Sequence, residues 1–134
     1  MKQIALLVLV ALLAAGCGNK SGAKTLAQTT STPSAATASQ ILQLEAAPGV
    51  LKFNVKVLKS VSTKVELVMT NGSKLNHDIA IKGNGIDEKG AVVGQGDKST
   101  VVATLKPGTY EFYCSVDGHE AAGMKGTLIV GAPS

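Results

Sequence analysis

From Leu51 onward the chain alternates between apolar and polar positions. Leu51, Phe53, Val55 and Val57 are separated by polar or charged residues, and Val65, Leu67 and Met69 repeat the pattern. It returns in His77, Ile79 and Ile81, in Val101, Ala103 and Leu105, in Tyr110, Phe112 and Cys114, and in Leu128 and Val130. A period of two puts every second side chain on one face of a strand. The runs are short and are divided by Asn71-Gly72, Asn84-Gly85, Lys89-Gly90 and Pro107-Gly108. Alternating runs punctuated in this way predict an all-β sandwich of about seven or eight strands. Helical spacing is almost absent. The glycine-rich stretch from Asn84 to Asp97 reads as a loop with a short strand at Ala91 to Val93, and Asp117 to Gly123 as room for one helical turn.

The first residues follow a different pattern. Met1-Lys2 is a short positive start, and Ile4 to Ala14 is an unbroken apolar run, too short to span a bilayer comfortably. Residues 1–16 therefore read as a signal peptide. The segment Leu13-Ala14-Ala15-Gly16-Cys17 resembles the lipobox of bacterial lipoproteins, although Ala14 stands where that motif most often has Leu. The resemblance implies cleavage before Cys17, lipidation of its thiol, and an exported protein anchored to a bacterial membrane, facing the periplasm or the cell exterior. Residues 17–39 are rich in Ser, Thr, Ala, Gly and Gln and cannot bury a core, so they read as a flexible tether. A random coil of that length reaches about 25 Å. Residues 40–134 remain as one domain with a single core.

Charge narrows the partners. All thirteen basic residues are lysine, and from Gln40 onward ten of them face nine carboxylates. The domain is nearly neutral, with no basic stripe and no interleaved aromatics, which argues against nucleic acid.

The candidate chemistry lies between Cys114 and Met124. Cys114, His119 and Met124 follow one another with four residues between each pair, and His77 is the only other histidine in the chain. With Cys17 assigned to lipid, Cys114 has no disulfide partner. A lone thiol in an oxidising compartment is buried, reactive or bound to metal. Two imidazoles, a thiolate and a weak thioether form a donor set that suits copper and serves both Cu(I) and Cu(II). Taken singly, each residue would more often be ordinary core or surface; together they point to one copper ion and one-electron transfer. Thioether is a poor ligand for zinc. Two histidines are too few for the extra catalytic coppers of a multicopper oxidase or nitrite reductase, and one free cysteine is too few for a binuclear copper centre. The domain therefore does not read as an enzyme. Copper delivery or buffering is the alternative function, but the histidine- or methionine-rich tracts expected of a carrier are missing.

The segment from Leu105-Lys106-Pro107-Gly108-Thr109-Tyr110 to Cys114, followed by Gly118-His119 and Gly123-Met124-Lys125-Gly126, resembles the cupredoxins, the small blue copper proteins. The loop spacing looks auracyanin-like. The resemblance extends over residues 40 to 132 and implies a Greek-key sandwich with one type 1 copper. In it His77, Cys114 and His119 would be the trigonal ligands and Met124 the long axial one, and redox proteins would be the partners. It also implies a structural tyrosine corner at Tyr110. His119 sits among Gly118, Ala121, Ala122 and Gly123, an apolar setting that would make its ring edge the electron exit, with Asp117 and Glu120 beside it. Family members usually carry Asn just after the first histidine as a brace between ligand loops. This chain has Asp78 there and Asn76 on the other side, so the brace falls to one of these two, and a carboxylate would lower the reduction potential.

Overall fold

A computed structural model describes residues 38–132. The expected signal peptide, Cys17 and nearly all of the tether lie outside this range. Among the described residues there are eight strands and no helix: β1 (Gln40–Ala46), β2 (Val57–Ser60), β3 (Lys64–Asn71), β4 (Ala80–Gly83), β5 (Ile86–Lys89), β6 (Lys98–Thr104), β7 (Gly108–Tyr113) and β8 (Lys125–Val130). They form a three-stranded sheet in the order β1-β3-β6 and a five-stranded sheet in the order β2-β8-β7-β4-β5. The chain crosses between the sheets at each step from β1 to β4 and again on either side of β6, while β4-β5 and β7-β8 are antiparallel neighbours within the second sheet.

The period-two pattern is what builds the core. In β3 Val65, Leu67, Met69 and Asn71 are buried, and in β6 Ser99, Val101 and Ala103 are buried. The antiparallel register sets Val65 opposite Ala103, Leu67 opposite Val101 and Met69 opposite Ser99, so the inward faces coincide. The second sheet answers with Ile81, Tyr110, Phe112, Leu128 and Val130. Phe112 meets Phe53 with ring centroids 5.6 Å apart, a tilted aromatic contact. Each large apolar side chain buried here contributes roughly 1.5–3 kcal/mol.

The structure departs from the pattern at both of its ambiguous stretches. Leu51 to Val57 alternates, yet before Val57 only Phe53 pairs, through a single bridge to Ala46. Nearby backbone groups are already engaged: Ala47 N–H donates to Lys52 C=O, and Glu45 N–H donates to the Asn54 side chain. The strand β2 starts only at Val57, where it meets β8 in parallel. By contrast β1 was hidden, because Ile41 points outward beside the inward Leu42 and blurs the alternation. The glycine-rich stretch holds β5 at Ile86–Lys89, an edge strand with three exposed residues and hence no buried stripe to read. The expected strand at Ala91 to Val93 reduces to one bridge between Val93 and His77. Residues 117–123 form successive turns rather than a helix, with one helical bond from Ala122 N–H to Gly118 C=O at 3.1 Å.

The sandwich has two distinct poles. The chain enters where Ser62 Oγ donates to Ala38 C=O and leaves where Gly131 N–H donates to Ser60 C=O. β1 and β3 run in parallel away from that pole and end side by side at Ala46 and Asn71, the pole that carries His77.

At the turn between β6 and β7, Tyr110 Oη donates to Lys106 C=O at 2.9 Å and accepts from Lys106 N–H at 3.1 Å. This is the tyrosine corner expected at that residue. Replacing Tyr110 by Phe leaves both Lys106 groups without their partner. The substitution should destabilise the fold by about 1–3 kcal/mol in chemical denaturation, with no change at the opposite pole.

Candidate metal centre

His77 sits three residues before β4, on a segment held at both flanks. Its N–H donates to Val93 C=O at 3.1 Å and its C=O accepts from Val93 N–H at 2.8 Å. Asn71 ties this segment to the end of β3. Its Nδ2 donates to Leu75 C=O at 2.8 Å and to Val93 C=O at 3.0 Å, and its Oδ1 accepts from Ser73 N–H at 2.9 Å. Sequence reading took Asn71 for a turn residue and missed this role. The signal was present: Asn71 continues the inward series Val65, Leu67, Met69, and a polar side chain in a core position must find partners.

Cys114 follows directly on β7, whose neighbour is β4. The register Ala80 opposite Tyr113 and Ile81 opposite Phe112 continues to set residue 78 opposite residue 115. There the Asp78 carboxylate accepts from both Ser115 N–H and Ser115 Oγ–H, each at 2.5 Å. Asp78 is almost wholly buried. It therefore bridges the His77 and Cys114 segments, whereas Asn76 is exposed and takes no part in the hydrogen bonds around the donors.

The loop after Cys114 closes on itself. Cys114 N–H donates to Met124 C=O at 3.1 Å and Met124 N–H donates to His119 C=O at 3.0 Å. Gly118 and Gly123, at φ 77° and 99°, supply the left-handed backbone these turns require. Four charged side chains fasten the outside of the loop. Lys82 Nζ lies 2.6 Å from Glu120 and 3.2 Å from Glu111, and Lys125 Nζ lies 3.7 Å and 3.6 Å from the same two residues. Glu120 is thus an anchor rather than a free docking charge, while Asp117 stays exposed.

These segments bring three donor atoms into a small triangle. His77 Nδ1 and His119 Nδ1 are 3.2 Å apart, and Cys114 Sγ lies 3.7 Å from the first and 3.5 Å from the second. The circle through three points so spaced has a radius of about 2.0 Å, the length of an imidazole–metal bond. No other group of three such side chains gathers in this way among the described residues. Met124 is fully buried and joined to both loop donors through the backbone. His77 and Cys114 are fully buried as well, and His119 is half-buried with exposed Gly118, Ala121 and Ala122 around it.

The electrostatics suit a metal rather than free side chains. Burial pushes the Cys114 thiol up to about 11, against the pull of the Asp78 and Val116 backbone N–H groups toward its sulfur. Burial also holds His77 below the usual imidazole range, helped by His119 and opposed by Asp78. Both shifts favour uncharged groups, and one cation at the centre of the triangle would reverse the preference of the thiol. With Nδ1 turned toward the triangle, His77 Nε2 is left buried without a hydrogen-bond partner. Its ring is therefore aimed by packing and by the backbone at Val93. Two neutral imidazoles, one thiolate and a buried thioether in this space fit a single soft or borderline ion, copper before zinc.

Fold and site together define a small β-sandwich that gathers two imidazoles and a thiolate at one pole. The family model of the cupredoxin-like domain matches residues 6–130, and the chain belongs to that family. Auracyanin B is similar in structure, with a TM-score of 0.61 and 25% identity over 69% of this chain and 88% of that one. A reduced auracyanin from Roseiflexus castenholzii has a TM-score of 0.56 and 23% identity, over 67% of this chain and 95% of its own. Auracyanin A from Chloroflexus aurantiacus, described as a blue copper protein, has a TM-score of 0.59 and 18% identity, over 69% of this chain and 99% of its own. The last two likenesses establish the fold alone. No curated protein sequence matches the chain significantly.

The raised thiol leads to a pH prediction. In the metal-free protein the Cys114 thiol should ionise near pH 11, followed by thiolate absorbance. Metal binding as thiolate then releases a proton, so affinity should rise about tenfold per pH unit from neutrality toward that value. Competition with a chelator across pH measures the slope, and a flat profile would contradict thiolate ligation.

Proposed function

We propose that this protein carries single electrons between redox partner proteins at one type 1 copper, outside the cytoplasm and tethered to a membrane by a lipid on Cys17. The observation that carries this reading is the donor triangle, with two Nδ1 atoms and one Sγ equidistant from a common centre within bonding range. His77, Cys114 and His119 are the three strong ligands in this reading and Met124 the weak fourth. Bound copper supplies the one-electron couple. The chain supplies a site that does not rearrange: each strong donor is fixed by strand pairing or loop-closing bonds, so both oxidation states meet nearly one geometry. His119 presents the half-buried ring among small residues, which makes its outer edge the path for electrons. Enclosure of the other donors disfavours the alternative of copper delivery, which needs an exchangeable site. Tethering rests on the lipobox-like segment before Cys17 and the Ser- and Thr-rich stretch behind it.

The test is direct. The full chain loaded with Cu(II) should show an intense thiolate-to-copper band and a narrow parallel hyperfine splitting in EPR, and Cys114→Ser should abolish both. A colourless loaded protein would refute the reading. Electron self-exchange much slower than copper loss to a chelator would favour delivery instead. Labelling with a radiolabelled fatty acid tests the lipid, which Cys17→Ala should remove.

Asp78 gives a second expectation. Its carboxylate stands beside the donors and stabilises the more positive oxidation state. Asp78→Asn should raise the reduction potential by on the order of 100 mV in voltammetry, a unit charge acting through a partly buried medium. An unchanged or lowered potential would remove Asp78 from the account.

A further inference from the structure

The backbone on either side of Met124 is held by a side chain that belongs to no ligand pattern. Lys56 lies just before β2, and its C=O accepts from Thr127 N–H at 2.8 Å, which registers it against β8. From there its ammonium donates to Gly123 C=O at 2.9 Å and to Lys125 C=O at 3.0 Å. These two carbonyls belong to the residues immediately before and after Met124. The other backbone bonds of Met124 run within the loop, to His119 and Cys114. Among the described residues, no other side chain from outside the loop hydrogen-bonds the backbone of residues 121–125.

The position matters because a thioether is a weak donor. Its distance from a metal follows from where the backbone puts it rather than from the pull of the ion. Gly123 sits in the left-handed region, so the loop turns sharply just before Met124. Met124 is tied to Cys114 and His119, and Lys125 pairs with Tyr113, so an external hold adds to these bonds by limiting how the turn at Gly123 shifts. Charge-assisted bonds to two carbonyls provide the hold, although Lys56 is exposed and each bond is worth less than a buried one.

We propose that Lys56 is a positioning residue for Met124, a staple that fixes how far the thioether stands from the two imidazoles and the thiolate. The proposal rests on the copper reading above and goes beyond it in assigning control of the fourth donor to a lysine outside the ligand loop.

The experiment compares the full chain with Lys56→Met, Lys56→Arg and Lys59→Met, the last removing an exposed ammonium of β2 that makes no ion pair or hydrogen bond to the loop. In the metal-free proteins, amide hydrogen exchange is read by NMR at Cys114 and Met124, with β3 and β6 amides as the control for folding. Lys56→Met should speed exchange at both loop amides about fivefold. Lys56→Arg should restore most of the protection, and Lys59→Met should leave both rates alone. In the copper-loaded proteins, Lys56→Met should change the EPR rhombicity and the ratio of the thiolate-to-copper bands, and Lys59→Met should not. Unchanged exchange in Lys56→Met would overturn the staple. Faster exchange with an unaltered copper spectrum would overturn its link to the fourth donor. Failure of the copper reading is separately visible, as an absent thiolate-to-copper band in the unsubstituted chain.

Discussion

The pairing of β4 with β7 is the interaction on which the site depends. It sets two segments that are far apart in sequence side by side, one leading out of His77 and the other into Cys114. Where the ladder ends, the Asp78 carboxylate continues it by accepting from the main chain and hydroxyl of Ser115. The donors thus begin at the point where regular hydrogen bonding stops. Two strands that diverged there would carry the imidazole and the thiol apart, and no loop closure on the Cys114 side would compensate.

Beyond that point the fold accumulates polar groups in an apolar pole. Asn71, His77, Asp78 and Cys114 are all buried, and each but His77 Nε2 is answered by hydrogen bonds or by the other donors. Such a concentration is costly in a domain of this size. It is tolerable because the bonds are short-range and mutual: Asn71 serves the His77 segment, Asp78 serves the Cys114 segment, and Cys114 and Met124 serve each other. The same network explains why the donors stand at bonding separation before any ion is considered.

The strands of the core were legible because their inward positions are mostly apolar and alternate cleanly with polar ones, as in β3, β6 and β7. Legibility failed where a strand has no clean inward stripe. β5 exposes most of its residues and β1 carries Ile41 on its outer face, so neither shows a clean period. It also failed between Leu51 and Val57, where the pattern was right for a strand and the partners were already taken. At the site the donor residues were readable from type and spacing. Their supports were not, because Asn71, Lys56 and Ser115 act through backbone carbonyls and neighbouring segments that only the folded chain brings together. Asp78 departs from a family habit, and in the structure its carboxylate accepts from Ser115 on the neighbouring segment.

The two poles of the sandwich bear on how such a molecule would be held. The chain comes in at Ala38 and goes out at Gly131 on the face remote from the donors, with the length of β3 between them. A linkage made at the first strand, whether biological or to an electrode surface, therefore presents the imidazole end outward. Orientation is built into the topology, so any flexible linkage of sufficient length would let that end swing toward whatever it meets.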